Sequence, residues 1–316
     1  MEVQKKRTRK KIVISIVAII VITIGIIIYQ LADRYLIEHV EVSNALNNTV
    51  SAEQTAESNT TNTIEEDYSA DDWSYTSDTK SITIKKVTAG SSSNPIVYYV
   101  ADVTLKSGST LKSAFANNEF GNNITQNTSV IAKENNAIFA INGDYYGFRQ
   151  EGITIRNGQI FRDIPARTGL ALYKDGSMKI YEETETTAEE LVEQGVTQTL
   201  SFGPALVENS SAITDFGQVS IDTNFGNRSI QDANPRTGIG IISPNHYVFI
   251  IVDGRSEESQ GMTLTDFAKT FEDLGCTEAY NLDGGGSSTM YFMGRVVNNP
   301  LGKGQERGVS DILFIN

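Results

Sequence analysis

The sequence predicts an α+β chain: a single sheet-dominated domain with few helices, preceded by one transmembrane helix and a disordered stalk. Three observations predict it. An apolar run near the N-terminus is as long as a bilayer is thick. The stretch after it is nearly devoid of large apolar side chains. The remainder alternates short β-rich runs with Gly, Asn and Asp turns.

Residues 1–11 hold Lys5, Lys6, Arg7, Arg9, Lys10 and Lys11 against one acid, Glu2. The run from Ile12 to Tyr29 follows, interrupted only by Ser15, Thr23 and Gly25. At about 1.5 Å per residue it makes a helix roughly 27 Å long, and continuing to Ala32 covers the bilayer core. The basic cluster predicts that residues 1–11 stay in the cytoplasm, that 12–32 anchor the chain in the cell membrane, and that the rest is extracellular. The competing reading is a cleaved signal peptide; the length of the run and the lack of an A-x-A site favour the anchor. Residues 33–79 are read as the stalk: from about Glu38 to Thr79 the composition turns to Ser, Thr, Asn, Glu and Asp with large apolar residues scarce, too few to bury a core. The folded domain is then 80–316.

Within that domain, Ile153–Arg156 and Ile160–Phe161 flank Asn157-Gly158, and Leu170–Tyr173 and Met178–Tyr181 flank Asp175-Gly176; both pairs predict hairpins. Thr263 and Asp266 cap a helix running to Leu274, with Leu264, Phe267, Ala268, Phe271 and Leu274 on one face and Gly275 as its stop. Thr187 and Glu190 predict a capping box for a second helix. A short third one near Thr128–Asn135 leads into a strand at Ala137–Ile141.

Composition removes several functions. The N-terminal eleven residues carry +5 of a total −13, leaving −18 on everything after them, so nucleic acid is excluded as a partner. A single cysteine, Cys276, allows no intrachain disulfide, which suits a bacterial surface protein with a sizeable core. His39 lies in the stalk and His246 in a Pro-Asn turn, so neither a zinc site nor a Ser-His-Asp triad is expected, and no G-x-S-x-G, Walker A or dinucleotide glycine pattern occurs. No metal and no cofactor is expected. Asn-x-Ser/Thr triplets at Asn123 and Asn227 carry little weight in an Asn- and Thr-rich chain.

What remains is carboxylates, arginines, amides and backbone N–H groups. Three times an apolar run ends in a polar, Gly-containing cluster: Asn142, Asp144 and Arg149 in "AINGDYYGFR", Asp253 and Arg255 in "VDGR", Asn281 and Asp283 in "NLDGGGSSTM". For any single cluster, Asp-Gly as ordinary turn vocabulary is an adequate explanation, as it is for Asp175-Gly176. Three together point to a shared site at strand ends. Arg236 in "NPRTG" directly follows a Pro and Arg167 in "PART" stands two residues after one, each suited either to a bound anion or to a surface ion pair. "NLDGGGSSTM" reads as a hairpin turn between a strand ending at Asp283 and one over Thr289–Met293; its three glycines exceed what such a turn needs and let the backbone approach a ligand.

In order along the chain, "AINGDYYGFR", "GPALVENS", "NPRTGIGI", the segment "DGRSEESQGMTLTDFAKTFEDLGCTEAYNLDGGGSSTMYF" and "ERGVSDILFIN" resemble the motifs of the phosphodiester glycosidase family, from about Ser129 to Asn316. The resemblance implies hydrolysis of a sugar-1-phosphodiester of the N-acetylglucosamine kind, releasing the sugar and leaving a phosphomonoester. It maps the cleft onto Asn142, Asp144, Arg236, Asp253, Arg255, Asp283, Gly284, Gly285, Ser287 and Ser288; Asn281 joins them as a substrate-binding candidate from its strand-end cluster alone. Asp in "NGDYY" departs from many members. The expected mechanism has Arg236, Arg255 and the N–H groups of Gly284–Ser287 hold the diester. Asp283, or in second place Asp253, then activates water or attacks the anomeric carbon. The expected substrate is a phosphodiester-linked glycan or a cell-envelope phosphopolymer. Two other readings stay open: a phosphodiesterase attacking phosphorus, and a non-catalytic module that binds wall phosphopolymers.

Overall fold

The computed structural model describes residues 2–45, 67–106, 109–219, 221 and 229–316. Residues 46–66 of the expected stalk, and Asn227, lie outside the described residues. The described flanks of that stretch are strands, His39–Ser43 before it and Tyr68–Ala70 and Ser74–Ser77 after it.

The fold is sheet-dominated α+β, with four α-helices among the described residues: α1 (Glu2–Tyr35), α2 (Thr128–Glu134), α3 (Ala188–Glu193) and α4 (Leu264–Asp273). The Ile14–Tyr35 part of α1 is long and apolar enough to cross a membrane and is not buried in the protein. That fits a single-pass anchor or a signal sequence.

Two sheets form the centre. One has nine strands, in spatial order Ser211–Ala212, Ala205–Glu208, Glu278–Leu282, Arg236–Ser243, His246–Val252, Asn94–Leu105, Lys80–Ser91, Ser74–Ser77 and Tyr68–Ala70. The other has five: Arg295–Val296, Met290–Phe292, Phe139–Asn142, Asp311–Ile315 and Lys112–Phe115. Alternate residues from both meet in one core that includes Ile82, Tyr99, Ile239, Phe249, Phe139, Ile141 and Leu313. The rings of Phe139 and Phe249 touch across it at 5.1 Å between centroids.

A helix covers each outer face. Leu264, Phe267, Ala268 and Phe271 of α4 pack on Val248, Ile250 and Val252 of the larger sheet, and α2 packs through Ile131 and Ala132 on Ala140 and Ile312 of the smaller. Burying each large apolar side chain contributes about 1.5–3 kcal/mol. The strand "RTGIGIIS" is cut to receive α4. A side-chain carbon on Gly238 would stand 2.8 Å from Phe267, and one on Gly240 2.8 Å from Phe271.

Local chemistry sets the elements as expected. Asn157-Gly158 and Asp175-Gly176 turn antiparallel hairpins, pairing Arg156 with Gln159 and Leu172 with Met178. Thr187 and Glu190 form a reciprocal capping box on α3, and the Thr263 hydroxyl accepts the Asp266 N–H on α4, a cap worth about 1 kcal/mol. His246 sits at a strand start with Nε2 3.0 Å from the Asp102 carboxylate, a surface pair.

One local expectation is corrected. "NLDGGGSSTM" is not a hairpin turn. Leu282 pairs with Thr237 in the nine-stranded sheet, while Met290 pairs with Ile141 in the five-stranded one. The segment carries the chain across the core from one sheet to the other. A hairpin joins neighbours in one ladder, and these strands share none.

Candidate active site

The crossover leaves the nine-stranded sheet at the same end of its inner strands as two other expected clusters. Register pairs Arg236 with Val252, just before Asp253, and Thr237 with Leu282, just before Asp283. Asn142, at the end of its strand in the second sheet, ties the sheets together: its Nδ2 donates to the Asp283 carbonyl at 2.7 Å, and its Oδ1 accepts from the Thr237 hydroxyl at 2.8 Å and the Thr289 N–H at 3.2 Å.

A cavity of about 260 Å³ opens at these strand ends. Asn281, Asp283, Gly284, Gly285, Arg236 and Arg255 line it, together with Tyr145, Phe202, Asn234 and Arg307. Among the described residues, Asp283 is the one carboxylate in the lining. It is 7% exposed. Its Oδ2 accepts from the Ser287 hydroxyl at 2.5 Å and from Arg307 Nη2 at 3.1 Å. Arg307 also donates through Nε and Nη2 to that hydroxyl, at 3.1 and 2.7 Å. Burial raises the Asp283 pKa above the ordinary carboxylate value; the Arg307 charge and the Ser287 hydrogen bond pull against it without cancelling it.

The remaining expected residues divide. Asn281 donates Nδ2 to the Gly203 carbonyl at 2.8 Å, and its buried Oδ1 has no partner among the described residues. Ser288 is buried, and its hydroxyl likewise has none among them. Arg255 is exposed on the cavity wall. It adopts a left-handed backbone at φ 61°, which costs a non-glycine residue about 1–2 kcal/mol. Arg236 lines the cavity but is 2% exposed, and its Nε and Nη2 donate to the carbonyls of Met262, Ile230 and Asp232. Burial and the neighbouring Arg255 charge depress its pKa to about 10. Arg167 is paired with Glu151 at 2.7 Å and is not in the lining.

Asp253 and Asp144 stand behind the wall rather than in it. Asp253 accepts from Asn298 Nδ2 at 2.9 Å and the Asn299 N–H at 3.0 Å. Burial raises its pKa, and these bonds oppose the rise. Asp144 accepts the N–H groups of Tyr145 and Ser201, at 2.8 and 2.6 Å. The expected nest of backbone N–H groups is partly occupied by the chain itself. Gly285 N–H donates to the Pro235 carbonyl and Ser287 N–H to the Gly284 carbonyl, because the crossover needs those bonds to hold its shape.

The three glycines have separate causes. A side-chain carbon on Gly284 would meet the Pro235 carbonyl oxygen at 2.7 Å. Gly285 is left-handed at φ 62°, with Arg255 Nη2 3.0 Å from where a side-chain carbon would stand. At Gly286 the close neighbour is Arg307 Cδ, at 3.1 Å. Gly285→Ala is therefore expected to cost about 1–2 kcal/mol through the backbone alone, read as a lower denaturant midpoint. An unchanged midpoint would contradict this account of the loop.

Arg307 is the residue sequence reasoning missed. The signal was present: "ERGVSD" is a fourth polar, Gly-containing cluster beside an apolar strand, and it precedes its strand instead of following it. Tyr145 and Phe202 were missed as well. Their rings stand edge to face at 6.0 Å, and the Arg149 guanidinium lies 5.2 and 5.1 Å from their centroids.

The sequence model of the phosphodiester glycosidase family (NAGPA) matches residues 135–316. The chain is similar to the SPbeta prophage-derived uncharacterized protein YomE of Bacillus subtilis, with 33% identity over 242 residues. That match covers 70% of this chain but 36% of the relative, so the chain spans little more than a third of that protein. Among solved structures it resembles the catalytic domain of zebrafish N-acetylglucosamine-1-phosphodiester alpha-N-acetylglucosaminidase, auto-inhibited by its pro-peptide, at a TM-score of 0.58 and 20% identity. That likeness covers 75% of this chain and 83% of the zebrafish chain. A hypothetical protein from Synechocystis is similar at a TM-score of 0.51 and 14% identity, over 74% of this chain and 62% of its own. These two likenesses are of fold. The family match takes in the crossover, all three arginines of the cavity wall and Asp283, and by it the chain belongs to the phosphodiester glycosidase family.

Proposed function

We propose that the chain is an extracytoplasmic hydrolase that cleaves the sugar–phosphate bond of a sugar-1-phosphodiester, releasing the sugar and a phosphomonoester. The observation that carries the reading is the Asp283–Ser287–Arg307 cluster: one buried, oriented carboxylate in a cavity whose other charged walls are arginines. A phosphodiester brings one negative charge, and Arg255 and Arg307 flank the carboxylate to receive it. Cleavage at the anomeric carbon builds positive charge on the sugar, which Asp283 stabilises as it attacks or directs water. The departing phosphomonoester is a good leaving group, so a second, acidic carboxylate is dispensable. That suits a lining with a single one. Asn281 Oδ1 offers an acceptor to a sugar hydroxyl, and the Tyr145 and Phe202 rings offer it an apolar wall.

The test is product identity. With a soluble methyl diester of N-acetylglucosamine-1-phosphate, free sugar and methyl phosphate are expected. Sugar-1-phosphate and methanol would show cleavage on the other side of phosphorus and remove the reading.

A pH dependence follows. Asp283 must be ionised to act, and its pKa is raised, so kcat/KM falls as pH drops through a value above the ordinary carboxylate range. Arg307→Gln removes a charge that holds the pKa down, and the acidic limb then moves to higher pH. A limb that stays in place or moves down contradicts the assigned pairing.

A further inference from the structure

The catalytic domain is fastened to the end of α1. The helix ends at Tyr35 and the strand His39–Ser43 begins after three residues, a connection that spans at most about 14 Å. That strand pairs with Glu119–Asn122 of the domain, His39 opposite Asn122 and Ser43 opposite Glu119. Ala45, 1% exposed, joins Phe115, Phe120 and Tyr146 in a buried cluster with Val42 against it. The domain also supplies the cap of the helix: Asn123 Nδ2 donates to the carbonyls of Ile37 at 2.7 Å and Asp33 at 3.2 Å, the kind of C-terminal carbonyl that a helix leaves unsatisfied.

The cleft lies next to this junction. Asn123 N–H donates to the Gly147 carbonyl, Phe148 stacks on Tyr145 at 4.8 Å, and Tyr145 lines the cleft. A second cavity, about 500 Å³, lies between the helix end and the domain, walled by Asp33, His39, Asn122, Gln150, Arg149 and Ile221. Ile221 also lines the cleft, so the two cavities adjoin there. The walls of the second are polar and of mixed charge, suited to a headgroup and not to acyl chains.

A 47-residue flexible stalk spanning 33–79 would let the domain roam about 40 Å from the bilayer. The docked arrangement removes that freedom, since the strand before residue 46 already belongs to the domain. We infer that the substrate is a membrane-borne sugar-1-phosphodiester, its carrier a lipid in the same bilayer as α1, presented to the cleft through the polar cavity at the helix end. The inference rests on the glycosidase reading and on α1 as an uncleaved anchor. It adds the carrier class and a reason for the rigid junction: confinement beside a membrane substrate raises its effective concentration without any new contact.

The test uses the full chain in phosphatidylglycerol–phosphatidylcholine vesicles containing N-acetylglucosamine-1-phosphoryl-diacylglycerol, beside the soluble methyl diester. Inserting about thirty Gly/Ser residues between Ile37 and Glu38 frees the domain to a reach of about 30 Å. It is expected to lower turnover of the lipid at least about tenfold while leaving the methyl diester rate unchanged. Equal lipid turnover by the inserted and native chains overturns the inference. Should the insertion damage both activities, Asn123→Gly decides. It keeps the left-handed backbone and removes the cap, and undiminished lipid turnover by it overturns the inference too. Cleavage of the methyl diester with none of the lipid refutes the carrier class alone. Cleavage of neither removes the glycosidase reading and the inference with it.

Discussion

Replacing Asp283 by Asn is expected to lower kcat by about 10²–10⁴-fold while the melting temperature stays the same or rises. The two halves of this expectation share one cause. Asp283 is buried at the end of a strand that two sheets hold in place, and burial raises its pKa above the ordinary value of 3.8. The folded protein therefore binds a proton there more readily than the unfolded chain. Stability from this group is highest at low pH and declines as pH rises from the unfolded value through the raised folded one. Once ionised, this carboxylate is thus a net cost to folding, which the catalytic role proposed for it would explain. Asn keeps the shape, still accepts the Ser287 hydroxyl and removes the buried charge. Arg307, whose side chain is 46% exposed, turns to water. Thermal denaturation beside steady-state kinetics checks both halves. A large loss of stability, or retained turnover, would remove Asp283 from its role.

Arg156→Met is expected to destabilise the fold by about 3–5 kcal/mol, on the order of 10 °C in melting temperature. Arg156 is 1% exposed, and its Nε donates to the equally buried Asp311 carboxylate at 2.7 Å. Asp144 lies 3.8 Å from its Nη2. Burial works against the Arg156 charge, but the two carboxylates outweigh it and hold its pKa above the ordinary value. Without the guanidinium, two buried carboxylates lose the charge that lies between them. Asp311 further accepts the Asp144 N–H at 2.8 Å, so the loss reaches the loop that carries Tyr145 to the cleft. The double variant Arg156→Met, Asp311→Leu is expected to regain part of the loss, because the charges leave together. Chemical denaturation of the two singles and the double measures this; purely additive losses would contradict the pairing.

The elements most legible in the sequence were those decided within a few residues. Asn157-Gly158 and Asp175-Gly176 fix their hairpins through local backbone preference, and Thr187 and Thr263 fix helix starts through their own hydroxyls. The site was legible as a place, since Asp253, Asp283 and Arg236 all fall at one end of neighbouring inner strands. It was not legible as a set of side-chain directions. Nothing near Arg236 in the chain announces that three carbonyls, two of them four and six residues away and one twenty-six away, consume its donors. Asp253 looks the same as Asp283 in sequence, yet Asn298 and Asn299 turn it from the cavity. The crossover at "GGGSS" reads as a hairpin because turn vocabulary describes the local path and not which ladder receives the next strand. Arg307 was hidden for the same reason, its partner lying twenty-four residues back.

The central claim is that bond breaking occurs at the anomeric carbon, driven by the Asp283 carboxylate. Hydrolysis of the methyl diester in ¹⁸O-water, with the products resolved by mass spectrometry, tests it most directly. The account predicts the label on the anomeric hydroxyl of the released sugar and none on methyl phosphate. Label on the phosphate would mean attack at phosphorus, and would contradict it.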